Sequence, residues 1–217
     1  MADAEGDRMS RSTADRHPPP GLFDIGLRKL FEKRNMFDSH IREGGNVADT
    51  GCGPGYFTIH FSDVVGPGGK IYASDTNSRA VEILSRKVRE KGIANIIVSA
   101  DSASNLQSIP DASIDFLLSH LVICCMHDHA GAISEINRVL KKDGVAFISV
   151  TSFGMKGDRK HVSRSEWRQM LSKFNVLEEG RRLTSWWCLV GPLQQAESAH
   201  RASRGAGEVP KRDPQRS

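Results

Sequence analysis

Short apolar runs alternate with longer polar stretches along the middle of the chain. Five of these runs, rich in β-branched and aromatic residues, predict strands at residues 46–49, 70–74, 95–100, 114–119 and 145–150. Few polar residues interrupt them, which is typical of strands that are buried on both faces of a parallel sheet.

Segments with helical periodicity lie between the predicted strands. Asn77 or Ser78 can cap one such segment, and Gly92 is suited to end it. Ser163 and Glu166 have the spacing of a capping box at the start of another segment. Apolar positions three and four residues apart form two further stripes: Ile133, Ile136 and Leu140, and Trp167, Met170, Leu171 and Phe174.

Two more strand candidates, residues 179–185 and 186–191, are expected to form a hairpin at the edge of the sheet. Strands that alternate with helices predict an α/β fold, with a mostly parallel sheet and helices on both faces. Trp186 and Trp187 lie in the last candidate, where they could mark a dimer edge or pack on the sheet. The sequence does not indicate an oligomeric state.

The two ends of the chain differ in composition from its middle. Residues 1–20 end in three prolines, and residues 195–217 are polar with almost no large apolar side chain. Both ends are therefore expected to be disordered, which leaves residues 21–194 as one folded domain. A helix-like segment opens this domain, and its apolar residues could form a lid over a small substrate or simply cover the sheet: Leu22, Phe23, Phe31 and Phe37.

Charge and composition narrow the functional classes. The chain of 217 residues has a formal charge of +4 and a pI of about 9.0, but part of the basic excess lies in the C-terminal tail. We therefore do not expect a nucleic-acid partner. No apolar stretch approaches the ~20 residues of a membrane span and the N-terminus has no apolar signal core, so we expect a cytoplasmic protein. No two cysteines have the CxxC spacing, which argues against a disulfide framework or a zinc ribbon.

Three glycines follow the first predicted strand at alternate positions in the segment VADTGCGPGYFT. Gly51, Gly53 and Gly55 let the backbone turn with positive φ and let a ligand come close, and the helix that follows points free N–H groups at it. The sixth position of the dinucleotide fingerprint holds Tyr56 rather than a small residue, and the phosphate-loop sequence of nucleotide hydrolases is absent. Asp49 would repel a pyrophosphate but suits a ligand with a positive charge, such as an ammonium group.

The pattern D-x-G-x-G-x-G after the first strand resembles motif I of the class I S-adenosylmethionine-dependent methyltransferases. The resemblance implies a Rossmann-like, seven-stranded, mostly parallel sheet whose last strand is antiparallel, with S-adenosylmethionine as the cofactor. It also implies that the glycine loop packs against the methionine part of the cofactor, with Asp49 close to the ammonium group. The loop positions concerned are Gly51, Cys52, Gly53 and Gly55.

Acids after the second and third strands match the same family in the expected order. In the family an acid that ends the second strand grips both ribose hydroxyls, and Asp75, followed by Thr76, holds that position here. A carboxylate can accept two hydrogen bonds from a cis-diol, which explains the residue type. Asp101 and Ser102 follow the third strand, where the family contacts the adenine amine.

The segment LLSHLVICCMHD resembles the strand-four motif of the family, in which Ser119 and His120 would line the cofactor. The sequence SHLV stands where methyltransferases that act on amino groups and nucleic bases carry N/D-P-P-Y/F, which argues against those acceptors. The later segment EINRVLKKDGVAFIS resembles the helix, turn and fifth strand of the fold.

The whole chain is most similar to the small-molecule branch that includes the ubiquinone/menaquinone C-methyltransferases, although its C-terminal half is shorter. The resemblance therefore implies transfer of a methyl group to an O, N, C or S atom of a small molecule by in-line displacement. Two alternatives are a methyltransferase that acts on RNA or protein and a regulatory protein that binds S-adenosylmethionine without catalysis. The sequence assigns no catalytic base.

Cys124 and Cys125 lie near His120, His127 and His129 in the sequence. This composition admits a metal site or arsenite methylation, since thiolates and imidazoles bind such ions. Free buried cysteines more often behave as small apolar side chains, and residues 127–129 are typical of the polar start of a helix. We expect no metal site and assign these residues no role in the chemistry.

Overall fold

The computed structural model describes residues 33–153 and 160–193, and every structural statement below refers to these residues. They contain seven strands: β1 Asn46–Thr50, β2 Lys70–Ser74, β3 Ile96–Ser99, β4 Ile114–His120, β5 Leu140–Thr151, β6 Phe174–Arg181 and β7 Ser185–Pro192. Four α-helices accompany them: α1 Thr58–Val65, α2 Ser78–Glu90, α3 His129–Val139 and α4 Arg164–Leu171. Two short 3-10 helices cover Asp38–His40 and Ile123–Cys125.

The seven strands form one sheet in the order β3-β2-β1-β4-β5-β7-β6. Strands β1 to β5 pair in parallel, and β7 runs antiparallel to both of its neighbours, β5 and β6. The predicted fold, a Rossmann-like and mostly parallel sheet with an antiparallel last strand, is confirmed. The order of the strands reverses between β1 and β4, and the crevice at such a switch point is where open α/β sheets bind ligands.

Two clusters of buried side chains cover the two faces of the sheet. One is mainly aliphatic, with residues such as Leu117 and Ile148, and also contains Trp167; the other is rich in phenylalanine. Phe37 is 1% exposed in the second cluster, and its ring centroid lies 4.8 Å from that of Phe147. Phe37 therefore covers the sheet, whereas the other three candidate lid residues lie outside the described part of the chain.

Helix caps follow the sequence prediction closely. The side chain of Asn77 accepts hydrogen bonds from the backbone N–H groups of Arg79 and Ala80 at the start of α2. Ser163 accepts one from the N–H of Glu166 at the start of α4, 3.1 Å away. Such caps satisfy N–H groups that the helix leaves without partners, so both helices begin where their sequences predict.

Two apolar residues that were expected to extend helical stripes belong to strands instead. Leu140 is extended, with φ −66° and ψ 137°, and pairs with Ile114 as the first residue of β5. Phe174 is the first residue of β6 and pairs with Pro192. The strand expected at residues 179–185 accordingly lies at Phe174–Arg181, and residues 182–184 form the turn of the hairpin.

The two tryptophans of β7 pack within the domain. The ring of Trp187 stacks on Phe147 at a centroid distance of 5.8 Å and an interplanar angle of 16°. The ring centroid of Trp186 lies 6.5 Å from that of Trp167 in α4. Both side chains are half-buried, so these contacts support the sheet-packing interpretation.

Asp115 joins the amino ends of β1, β4 and β5. Its carboxylate accepts hydrogen bonds of 2.8 Å from the backbone N–H of Asn46 and from Nζ of Lys141, and it also pairs with Arg42. Burial alone would raise the pKa of Asp115, but these three partners hold it below its usual range. The carboxylate therefore stabilises the fold in its charged form.

Asp115→Asn is expected to lower the free energy of unfolding by about 2 kcal/mol at neutral pH, because charge-assisted bonds are lost. Since folding lowers this pKa, the stabilisation is present above the unfolded value of about 4 and is lost as pH falls through the folded value. Urea denaturation at pH 7 and at pH 3 checks this. The free energies of unfolding of the wild type and the variant should differ less at pH 3 than at pH 7. Asp143→Asn, at an exposed carboxylate of β5, should change little at either pH. An equal loss at both pH values would contradict the role of the charge.

Candidate functional site

The glycine loop after β1 has three residues in the left-handed region. The φ angles are +64° at Gly51, +53° at Gly53 and +87° at Gly55. A Cβ on Gly51 would lie 2.5 Å from Cγ2 of Val122, and one on Gly55 would collide with Leu84. At Gly53, by contrast, no described atom lies within 4 Å of the Cβ position. Packing thus requires two of the glycines, and the middle one faces open space.

Asp49 lies at the base of this loop, near the carboxyl end of β1. Its side chain is buried, and Oδ2 accepts a hydrogen bond of 2.6 Å from the hydroxyl of Thr58, the first residue of α1. The bond fixes the carboxylate between the strand and the helix that follows it.

Cys52 packs inside the same loop. Burial, together with the charges of Asp49 and Asp75, raises the pKa of the Cys52 thiol well above its ordinary value. The thiol is therefore protonated at neutral pH and behaves as a small apolar side chain.

Asp75 follows β2 and ties that strand to the glycine loop. Its Oδ2 accepts a hydrogen bond of 2.8 Å from the N–H of Gly53, and its Oδ1 accepts one of 2.8 Å from the N–H of Asn77. Each carboxylate oxygen has a second lone pair, so the group keeps capacity for two further donors. The side chain is half-buried, and the neighbouring Thr76 is exposed.

Asp101 and Ser102 begin the loop between β3 and β4. Oδ2 of Asp101 accepts a hydrogen bond of 2.8 Å from the N–H of Ser108, which closes the loop on itself. The hydroxyl of Ser102 lies 3.0 Å from that of Ser104. Both site candidates are half-buried, at the edge of the sheet that also carries Asp75.

Two charged residues of α3 hold this loop, and sequence reasoning missed them. Oε2 of Glu135 accepts a hydrogen bond of 2.6 Å from the N–H of Leu106, and Arg138 donates to the carbonyl oxygens of Leu106 and Ile109 at 2.9 and 3.0 Å. Arg138 also donates to Glu135 at 2.7 Å. Hydrogen bonds from Arg138 lower the pKa of Glu135 in spite of its partial burial. In the sequence the pair has only the spacing of an ordinary ion pair on a helix surface.

Hydroxyl side chains form a row across the carboxyl ends of the strands. Thr50 of β1 lies opposite both Ser74 of β2 and Ser119 of β4, and Ser74 lies opposite Ser99 of β3. Thr50 donates to the carbonyl oxygen of Leu118 at 3.0 Å. The buried hydroxyls of Ser74 and Ser119 have no hydrogen-bond partner among the described residues. Because buried polar groups are normally paired, this row leaves hydrogen-bonding capacity at the carboxyl edge of the sheet.

His120 ends β4 beside the glycine loop. Its Nδ1 lies 2.7 Å from the hydroxyl of Ser149, which also accepts a hydrogen bond of 3.2 Å from the N–H of Leu121. The imidazole centroid is 6.1 Å from that of Phe57 and 6.3 Å from that of Phe147. The ring is therefore held at the carboxyl edge between a polar anchor and two aromatic side chains.

Residues 127–129 form the start of a helix, as predicted. The side chain of Asp128 accepts a hydrogen bond of 2.9 Å from the N–H of Gly131 and caps α3. The buried His129 lies 2.7 Å from Glu166 of α4 and 2.9 Å from the carbonyl oxygen of Met126. Across residues 33–153 and 160–193, no group of three or more His, Cys, Asp or Glu side chains is placed to hold a metal ion.

The sequence candidates thus meet at one edge of the sheet, since Asp49, Asp75, Asp101 and His120 lie at the carboxyl ends of four adjacent parallel strands. A family model described as a methyltransferase domain matches residues 48–148, from β1 to β5. These residues form a class I S-adenosylmethionine-dependent methyltransferase domain. The family inferred from the glycine loop and the acids is confirmed.

Relatives of this methyltransferase domain include a ubiquinone/menaquinone biosynthesis C-methyltransferase of Francisella tularensis subsp. novicida. It is 28% identical over 123 residues, which are 57% of this chain and 49% of the relative. The chain thus spans about half the length of the curated relatives it matches.

Two solved structures share the fold of the methyltransferase domain. A SAM-dependent methyltransferase from Aquifex aeolicus aligns with a TM-score of 0.63 and 18% identity, over 82% of this chain and all of that one. A putative rRNA methylase from Clostridium thermocellum aligns with a TM-score of 0.61 and 15% identity, over 76% and 97% of the two chains. At these identities the likeness concerns the fold alone, and one fold can serve enzymes that act on different acceptors.

No helix within the described ranges of the chain has the length and apolar character needed to cross a membrane.

Proposed function

We propose that this protein binds S-adenosylmethionine at the carboxyl edge of the sheet and transfers its methyl group to a small molecule by in-line displacement. The accepting atom is O, N, C or S. The observation that carries the proposal is the bond between Asp75 and Gly53, which joins two parts of the site that are 22 residues apart in sequence. It brings the candidate ribose-binding acid to the open middle of the glycine loop.

The residues present fit this cofactor. The space beside Gly53 accommodates a ligand, and the lone pairs left on Asp75 suit the cis-diol of a ribose. Asp49 would lie near the ammonium group of the methionine part. Asp101 and Ser102 would face the adenine, and Ser119 and His120 would line the bound molecule. These assignments follow the family motif, residue by residue.

When bound, the cofactor supplies a methyl group on a positively charged sulfur, which is already an activated leaving group. The residues of this chain then have to bind, orient and exclude water, because positioning supplies much of the rate of such a displacement. The anchored ring of His120 bounds the β4 side of the site, and the buried rings of Phe57 and Phe147 pack behind it. We propose that the acceptor enters on this side.

A small-molecule acceptor is supported by the name of the Francisella relative, a C-methyltransferase of ubiquinone and menaquinone biosynthesis. It is also supported by the sequence SHLV at the end of β4, which differs from the motif of amino-group and nucleic-base methylators. A cytoplasmic location and a folded domain over residues 21–194 belong to the same proposal.

Calorimetric titration with S-adenosylmethionine and S-adenosylhomocysteine tests the cofactor, and dissociation constants on the order of micromolar are expected. Incubation with methyl-labelled cofactor and separated small-molecule, RNA and protein fractions of a cell extract tests the acceptor. Label in the small-molecule fraction is expected. Label in RNA or protein would overturn the acceptor class, and binding without transfer to any fraction would favour a regulatory protein. A folded protein that binds neither compound would contradict the whole proposal.

Arg138→Lys is expected to weaken S-adenosylhomocysteine binding about tenfold, the equivalent of roughly 1.4 kcal/mol. A lysine donates from a single nitrogen atom, whereas Arg138 reaches its carboxylate and carbonyl partners from three, so the loop that carries Asp101 loosens. Hydrogen exchange should speed up at the N–H groups of Leu106 and Ser108. Arg86→Lys, at an exposed arginine of α2, is the matched control. Unchanged exchange at both amides would contradict the role of Arg138 in holding the loop.

A further inference from the structure

Two cysteines are adjacent in the 3-10 helix Ile123–Cys125, directly after the β4 end of the site. Cys124 is 3% exposed, whereas Cys125 is half-buried. The thiol of Cys125 donates a hydrogen bond of 3.5 Å to the carbonyl oxygen of Leu121, and the side chains of Cys124 and Cys125 also share a hydrogen bond. The two thiols are therefore adjacent in the chain and in contact, and the half-buried one, Cys125, is within reach of small reagents.

Cys124 is the more acidic of the pair. The hydrogen bond from Cys125 is the main reason that its pKa falls to about 6; burial opposes this effect, and hydrogen bonds with Thr151 add to it. Thiolates, rather than thiols, attack disulfides. At neutral pH a buried thiolate thus lies beside a more accessible thiol.

We propose that Cys124 and Cys125 form a redox-sensitive dithiol, which low-molecular-weight disulfides convert to a Cys124–Cys125 disulfide, and that this modification weakens cofactor binding. In the first step the sulfur of Cys125 loses its proton and attacks the reagent, which releases one thiolate and leaves a mixed disulfide. The thiolate of Cys124 then attacks the sulfur of Cys125 and expels the second thiolate. The two cysteines lose two protons and two electrons, and the reagent disulfide is reduced to two thiols.

The adjacency of the cysteines makes such a bond easy to reverse. Neighbouring Cα atoms are 3.80 Å apart across a trans peptide, whereas disulfides usually join Cα atoms 4.4–6.8 Å apart. The closed ring is therefore strained, and strained disulfides are readily reduced. These are the properties of a reversible modification site rather than of a structural cross-link.

The same turn supports the glycine loop. The 3-10 helix is held by hydrogen bonds from the N–H of Cys125 to the carbonyl oxygen of Val122 at 2.8 Å and from Met126 to Ile123 at 3.3 Å. Val122 is the side chain that packs where Gly51 lacks a Cβ. Ring closure distorts this turn, so Val122 moves relative to Gly51. This second half of the inference rests on the proposed function.

Mass spectrometry of the full-length protein in glutathione redox buffers tests the chemistry. The wild type is expected to lose two hydrogen atoms, with the bond mapped to Cys124 and Cys125 and reversed by dithiothreitol. Cys124→Ser should retain glutathione on Cys125, because the second step is blocked, and Cys125→Ser should stay unmodified. Cys188→Ser, at a buried cysteine of β7, should oxidise like the wild type. The inference would be overturned if all thiols stayed free in excess oxidised glutathione, or if the disulfide joined Cys52 or Cys188 instead.

Titration of the reduced and the oxidised protein with S-adenosylhomocysteine tests the link to the site. Oxidation is expected to weaken binding about tenfold, within the usual range of coupling between sites. Equal affinities would overturn the link. If the reduced protein did not bind S-adenosylhomocysteine, that result would instead contradict the proposed function. The disulfide mapping would still show whether Cys124 and Cys125 form the bond.

Discussion

Asp75→Ala is expected to weaken the binding of S-adenosylhomocysteine by about two orders of magnitude. The proposed contact of the carboxylate with a ribose cis-diol comprises two charge-assisted hydrogen bonds, each contributing about 1.5–3 kcal/mol. The variant also removes the acceptor of the Gly53 N–H, so the glycine loop loses its tie to β2. Calorimetric titration measures the loss of affinity directly.

Two further variants make this result specific. Asp75→Asn keeps the shape of the side chain and one good acceptor, so we expect a loss of about tenfold, between wild type and alanine. Asp63→Ala, which removes an exposed acid of α1, should bind like the wild type. If Asp75→Ala kept its affinity while remaining folded, the ribose would have to be held by another group.

Gly53→Ala is expected to abolish most cofactor binding while leaving the domain folded. The new methyl group meets no described atom within 4 Å, so it projects into the space that the proposal assigns to the cofactor. The left-handed φ of +53° costs an alanine roughly 1–2 kcal/mol, which lowers the melting temperature but does not unfold the domain. Titration and thermal denaturation of the same preparation separate the two effects.

Gly92→Ala is a matched control for that variant. Gly92 also has a left-handed φ, +63°, and also has no described atom within 4 Å of its Cβ position, but it lies after α2, away from the site. The two variants should therefore lose similar stability, and only Gly53→Ala should lose cofactor affinity. Similar affinities in both would show that the open side of Gly53 is not where the cofactor binds.

The sequence predicts β1, β2 and β4 well because they are buried on both faces, which makes each an apolar run between polar segments, whereas β6 is mostly exposed and lies several residues before its predicted position. Asp49 and Asp75 are recognisable for a related reason, since an acid that directly follows such a run is conspicuous. Their roles as ligands come from the family pattern. What the sequence does not contain is the bond between Asp75 and Gly53, because it depends on how β1 and β2 align.

The errors in the sequence prediction also have physical causes. Leu140 and Phe174 continue an apolar spacing of helical type, yet each is the first residue of a strand. Both helices end close to the sheet, and an apolar side chain is buried there in either conformation. The hydrophobic pattern alone therefore does not determine whether such a residue belongs to the helix or to the strand that follows it.

Long-range partners explain the residues that were missed. Glu135 and Arg138 bind backbone groups about 30 residues earlier in the chain, in the loop that carries Asp101. Val122 matters because Gly51 approaches it closely across the β1–β4 crevice. Neither relation leaves a local signal in the sequence, whereas the caps at Asn77 and Ser163 involve neighbours within three residues and were predicted.

The position of β7 between β5 and β6 has a consequence for the nascent chain. Strand β6 pairs only with β7 in the described sheet, so after synthesis it stays without a partner until residues 185–192 leave the ribosome. Strands β1 to β5 can pair earlier, because each finds its neighbours among segments already made. During that interval β5 and β6 both expose unpaired edges, which is when this chain is most open to chaperones and to aggregation.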